Sequence, residues 1–71
     1  MADRQTIIKD IRREYGNLLN LRKTAEALGY KDKRAAVKFL EGIPYCKMGR
    51  EKKYLASDIG TRIYHRLEPT E

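Results

Sequence analysis

The sequence predicts a small, mainly α-helical domain that carries one β-hairpin. Three observations lead there. Apolar residues recur at helical spacing in four short windows: Ile7/Ile8/Ile11/Tyr15, Leu21/Ala25/Leu28, Ala36/Phe39/Leu40 and Ile59/Ile63/Leu67. Between the third and fourth windows Ile43-Pro44 breaks the helical pattern, and two short runs ending in Met48 and Leu55 flank a basic turn containing Gly49. The chain has 71 residues, a length that buries only about 60% of its unfolded surface and supports one modest core. The expected organisation is an N-terminal amphipathic helix within residues 1–17, packed on a domain spanning 18–71.

Residues 3–15 form the first expected helix. Asp3 caps its start, Gly16-Asn17 ends it, and Arg4, Lys9, Arg12 and Arg13 lie mostly off the apolar stripe. Leu18 and Leu19 lead into Asn20, a favourable N-cap for a second helix over 21–28. Ala25 and Ala27 are small and let another helix approach, and Gly29 follows the last periodic residue as a C′ glycine does. Only Gly29, Tyr30 and Lys31 then precede Asp32, the cap of a third helix over 33–41. A connection this short, with a glycine first, is helix-turn-helix geometry. Tyr30 is expected to plug the gap between the two helices.

The third helix buries Ala36, Phe39 and Leu40 and turns Lys31, Arg34, Lys38 and, less centrally, Glu41 away from that face, with Val37 at the border. Lys33 and Arg34 fill its first turn, where cations meet the unfavourable end of the helix dipole; Asp32 offsets part of this, and a phosphate backbone offsets more. After Gly42 the expected hairpin has strands at 45–48 and 53–55 around a turn at 49–52, with Tyr45 and Tyr54 anchoring it to the helices. The last helix starts at Ala56 or Ser57, carries Asp58 in its first turn, is weakened slightly by Gly60, and stops at Glu68-Pro69, leaving Thr70-Glu71 as a tail.

Charge is concentrated as well as plentiful. The net charge is +6, and residues 31–56 hold eight basic groups against three acidic ones. A local positive field attracts polyanions, against the bland reading that Lys and Arg merely solubilise a small protein. Cys46 is the only cysteine and His65 the only histidine, so no disulfide closes within the chain and no cysteine-based zinc site can be built. The single histidine supports no Ser-His-acid set and reads as a surface or boundary residue, Cys46 reads as a small packed residue, and Gly42 and Gly49 flank strands rather than a phosphate-binding strand-to-helix turn. An enzyme is therefore not expected, and no cofactor is. The N-terminus lacks the apolar core of a signal peptide and no run approaches a membrane span, so the expectation is a cytoplasmic protein.

The order and spacing of these pieces carry a resemblance. Leu21-Arg-Lys-Thr-Ala25-Glu-Ala-Leu28-Gly29, a basic helix, Ile43-Pro44-Tyr-Cys-Lys-Met-Gly49-Arg50 and Tyr54-Leu-Ala-Ser-Asp58-Ile59 together resemble the excisionase-like branch of the MerR-type winged helix-turn-helix domains over about residues 18–67. The apolar triad of the third helix falls one residue later from Gly29 than the family pattern, and the helix at 3–15 is additional. The resemblance implies a DNA-binding protein of a mobile element or phage: a recombination directionality factor, a small transcriptional regulator, or a packaging protein like a terminase small subunit. It implies double-stranded DNA as partner, with an integrase or further copies of the chain beside it, and neither a membrane nor a small-molecule substrate. On this reading Lys31, Lys33, Arg34, Val37 and Lys38 belong to the recognition helix, Val37 meeting a thymine methyl. Lys47, Arg50, Lys52 and Lys53 belong to the wing and hold phosphate or the adjacent minor groove. The alternative from another class is a protein-interaction module that uses the helix at 3–15. RNA binding is not expected, because the tyrosines read as core rather than as exposed stacking platforms.

Overall fold

A computed structural model describes residues 3–67. Four helices and three short strands follow in the order α1 (Arg4–Tyr15), β1 (Leu18–Leu19), α2 (Leu21–Leu28), α3 (Lys33–Phe39), β2 (Cys46–Met48), β3 (Glu51–Leu55) and α4 (Ala56–Arg66). The mainly helical class with a small antiparallel sheet is the one the sequence predicts. Glu68-Pro69 and Thr70-Glu71, expected as helix stop and tail, lie outside the described residues. No described helix is long and apolar enough to cross a membrane.

Local chemistry sets most boundaries. The Asp3 side chain accepts from the Thr6 amide at 2.7 Å and the Asn20 side chain from the Lys23 amide at 2.8 Å, each satisfying a free donor in a helix's first turn. Gly29 adopts φ +76°. Its N–H donates to Glu26 O at 3.1 Å while the Tyr30 N–H donates to Ala25 O at 2.9 Å, the paired bonds of a Schellman stop. Tyr30 contributes this amide and not a plug. Its side chain is exposed, whereas the small residues Thr24 and Ala25 of α2 and Ala36 of α3 are buried. α3 ends at Phe39, earlier than the expected Glu41. The backbone tightens there into i→i−3 bonds, from Leu40 N–H to Val37 O and from Glu41 N–H to Lys38 O, and turns at Gly42 with φ +83°.

The sheet departs most from expectation. Leu18–Leu19, expected only to lead into α2, is a strand, pairing Leu18 with Leu55 and Leu19 with Tyr54, so the sheet has three antiparallel strands in the order β1-β3-β2. Two residues carry no legible alternation, which is why pattern alone misses them. The hairpin turn is Gly49-Arg50 alone, since the ladder runs on to Met48 opposite Glu51. Gly49 has φ +63°, and among the described residues no residue other than glycine has positive φ, the type II′ pattern that matches strand twist and leaves no need for a longer loop. Tyr45 is not an anchor: it is 52% exposed, and only Tyr54 is buried in the core. Cys46 is exposed rather than packed.

One core joins α1, β1, α3, β3 and α4. Ile11 from α1, Leu19 from β1, Phe39 and Leu40 at the end of α3, Ile43, Tyr54 from β3, and Ala56 and Ile59 from α4 form a single buried cluster. α1 and α4 approach closely at Gly60. A Cβ there would lie 2.6 Å from Ile8 Cγ1, 3.2 Å from Ile8 Cα and 3.3 Å from Ile8 N. Gly60 is thus less a weak point of its helix than the gap that admits α1. Leu67 leaves the helix and is exposed, so the apolar stripe of α4 stops at Ile63.

Two predictions follow from this packing. Gly60→Ala is expected to destabilise by about 1–3 kcal/mol in chemical denaturation, because overpacking against the Ile8 backbone outweighs the roughly 1 kcal/mol gained in helix propensity. Hydrogen bonds to the Thr6 and Arg34 amides, and for Asp32 first the Arg34 side chain, hold the Asp3 and Asp32 carboxyls below their usual range. Both groups bind protons more weakly folded than unfolded, so their contribution is complete above a pH of about 4 and disappears as pH falls through the lowered values. Thermal melts from pH 6 to pH 2 are expected to show this loss, and Asp3→Asn to reduce it.

Candidate nucleic-acid interface

α3 turns Ala36, Phe39 and Leu40 into the core, which leaves two flanks free. Lys33 and Val37 look across an open groove towards the hairpin, while Arg34 and Lys38 occupy the outer flank. Strand alternation builds the opposite wall: Lys47 faces Lys52 across the ladder, and Tyr45 and Tyr54 continue the same face with ring centroids 6.1 Å apart. The groove holds about 680 Å³ and is lined by Lys33 and Val37 from α3, Tyr45, Arg50 and Lys52 from the hairpin, and Arg22 from the first turn of α2. Glu41 and Glu51 also border it.

Ion pairing sorts the cations. Among the described residues Asp10 pairs with Arg13, Asp32 with Arg34, and Glu51 with Lys53. Lys53, expected at the contact surface, is instead half-buried on the other face of β3, with its ammonium 3.8 Å from Glu51. Arg22, Lys31, Lys33, Lys38, Lys47, Arg50 and Lys52 have no ion-pair partner among the described residues. The Lys52 ammonium lies 4.7 Å from the Tyr45 ring centroid, a cation–π contact that draws it over the ring. Lys47 and Lys52 are nevertheless directly opposed in the ladder, an arrangement that destabilises a hairpin in isolation.

The structure therefore brings Lys33, Val37, Arg50 and Lys52 of the expected residues onto one groove. Arg34 and Lys38 lie on the adjoining outer flank, Lys31 stands in the exposed α2–α3 connection, and Lys47 is on the hairpin's basic face. Two groove residues escaped the sequence reading. Arg22 follows the N-cap Asn20 by two positions, so a basic residue in the first turn of the leading helix was the available signal. Tyr45 reads as core along the chain, because nothing in the sequence separates an anchoring tyrosine from an exposed one two residues before a lysine.

The site is held from α4. Arg62 Nη1 donates to Phe39 O at 2.9 Å and also to Glu41 O, satisfying carbonyls left open at the C-terminus of α3. The Arg66 guanidinium stands 5.0 Å from the Phe39 ring centroid. No family model, curated protein or solved structure matches the chain.

Opposed lysines make a signed test. Lys47→Glu puts unlike charges across the ladder and is expected to stabilise the hairpin by about 0.2–1 kcal/mol. The same change is expected to weaken capture on a heparin or DNA column, with earlier salt elution. Stability and polyanion affinity should thus move in opposite directions.

Proposed function

We propose that this protein binds double-stranded DNA sequence-selectively, with α3 as recognition helix and the β2–β3 hairpin as wing, in the manner of an excisionase-like recombination directionality factor. One observation carries the reading: cations without ion-pair partners from three separate elements, Arg22, Lys33, Arg50 and Lys52, converge on one groove beside the half-exposed apolar Val37. Cations supply sequence-independent affinity for phosphate, and an exposed methyl-bearing side chain among them suits a thymine methyl. Arg22, at the start of the first helix of the pair, is suited to the backbone contact such helices make. A transcriptional regulator or a packaging protein uses the same surface, and the resemblance on residues 18–67 implies all three roles alike.

The interaction-module alternative has less to stand on, because α1 spends Ile8 and Ile11 on the core and on α4. A specific observation does favour a second nucleic-acid reading: Tyr45 is exposed on a basic face and could stack an unpaired base. The two readings separate by competition between duplex and single strands of the same sequence.

Selection of duplexes from a random pool, followed by footprinting and a bending assay, tests the proposal. A bent site with repeated footprints supports the excisionase role, and a single unbent promoter-like site supports a regulator. About six phosphate contacts predict a slope near −5 in log affinity against log salt. Lys52→Ala is expected to weaken all duplexes alike and reduce that slope by about 1, whereas Arg34→Ala is expected to cost about 1–3 kcal/mol at one base position. Absence of duplex binding at low salt would overturn the proposal.

A further inference from the structure

The α2–α3 connection contains a side-chain arrangement that the capping role of Asp32 does not require. Asp32 Oδ1 accepts from the Arg34 amide at 2.9 Å, which is the helix cap. The same carboxylate also takes one edge of the Arg34 guanidinium: Oδ2 accepts from Nε at 3.1 Å and from Nη2 at 2.9 Å, with Oδ1 3.4 Å from Nε. The Arg34 side chain is otherwise 91% exposed and Asp32 54% exposed. An arginine so exposed samples many rotamers unless something fixes it, and here one carboxylate bonds both its backbone and its side chain.

A guanidinium has five N–H donors in a planar fork. With the Nε/Nη2 edge occupied by Asp32, the Nη1–H groups and the second Nη2–H remain. They form a complete two-pronged edge, the one that matches the O6/N7 acceptors of guanine in the major groove. We propose that Asp32 is a specificity-determining residue: it presents the free edge of Arg34 for bidentate recognition of guanine, while its negative charge disfavours any phosphate that would compete for the same arginine. The inference rests on the DNA-binding reading above and assigns Arg34 to base readout, in contrast to the unpaired Lys33, Arg50 and Lys52. Asp32 acts through Arg34 and acts without having to touch DNA itself.

Asp32→Asn separates the two functions of the side chain, because asparagine caps a helix about as well as aspartate but brings no charge. The experiment uses the full chain and a duplex selected from a random pool, together with duplexes carrying each alternative base at the position protected by Arg34. Circular dichroism checks that the helices persist. In Asp32→Asn the preference for guanine over the other bases is expected to fall about fivefold, while affinity for random duplex rises because an acid has left the interface. Arg34→Lys keeps the charge and lacks the fork, so it is expected to lose the preference at an unchanged salt slope. In an Arg34→Ala background Asp32→Asn is expected to leave base preference unmoved.

An unchanged guanine preference in Asp32→Asn, or an equal change with and without Arg34, overturns the inference and leaves duplex binding standing. A selected site with no guanine requirement does the same. Failure of the unmodified chain to bind any duplex at low salt overturns both.

Discussion

Arg62 reaches from α4 to the far end of α3, where its guanidinium donates to the carbonyls of Phe39 and Glu41. That contact matters because α3 has only seven residues, far below the length at which a helix is stable alone. Both its ends are closed by charged side chains: Asp32 bonds the Arg34 amide at the N-terminus and Arg62 takes the carbonyls at the C-terminus, each with the sign the helix dipole favours. Between them Ala36 and Phe39 are buried, and Leu40 follows at once into the same core. The orientation of the basic flanks follows from these fixed points and not from helix propensity.

The hairpin is held by a different device. Its cross-strand lysines work against pairing, and β2 is an edge strand with all three residues exposed. What stabilises it is β3, whose inner end pairs with β1 and whose Tyr54 is buried in the core. The Ala56 N–H donates to Asn17 O at 2.8 Å and carries the same pairing into the start of α4. Since Leu19 leads directly into the N-cap Asn20, the strand that steadies the hairpin also sets where α2 begins and where Arg22 stands. The α3 and hairpin walls are thus tied to one core through separate routes, Arg62 for one and Leu19–Tyr54 for the other.

Much of this is legible along the chain because it is local. The caps at Asp3, Asn20 and Asp32 and the stop at Gly29 are single-residue chemistry acting within three or four positions, and the periodic triads mark buried faces directly. What the sequence hides is long-range. The approach of Ile8 to Gly60 and the bond from Arg62 to Phe39 join residues with no sequential relation, and a glycine within a helical pattern reads as a defect until its neighbour is known. Tyr30 and Tyr45 mislead for a related reason: an aromatic ring is apolar enough to look like core, yet both are exposed while Tyr54 is buried. The candidate residues divide in the same way. Their location on α3 and the hairpin is readable, whereas their division between groove, outer flank and ion pair depends on strand register and on which carboxylate is near.

That division bears on why the surface is arranged at a cost. Lys47 opposes Lys52, and Lys33 stands in the first turn of α3 near the positive end of its dipole. A protein selected for stability alone gains by placing acids there. Two acids, Glu41 and Glu51, do border the groove, but neither is ion-paired with a groove cation: Glu51 pairs with Lys53, and Asp32 engages Arg34 on the outer flank. The groove cations are left without ion-pair partners while one arginine beside them is held in place. On the proposed reading this is a separation of tasks within about twenty residues. The unpaired cations attract any phosphate and are relieved by it, and the paired arginine, less available to phosphate, keeps its free edge for a base. Affinity without sequence and sequence without much affinity then come from neighbouring side chains that differ chiefly in whether an acid stands beside them.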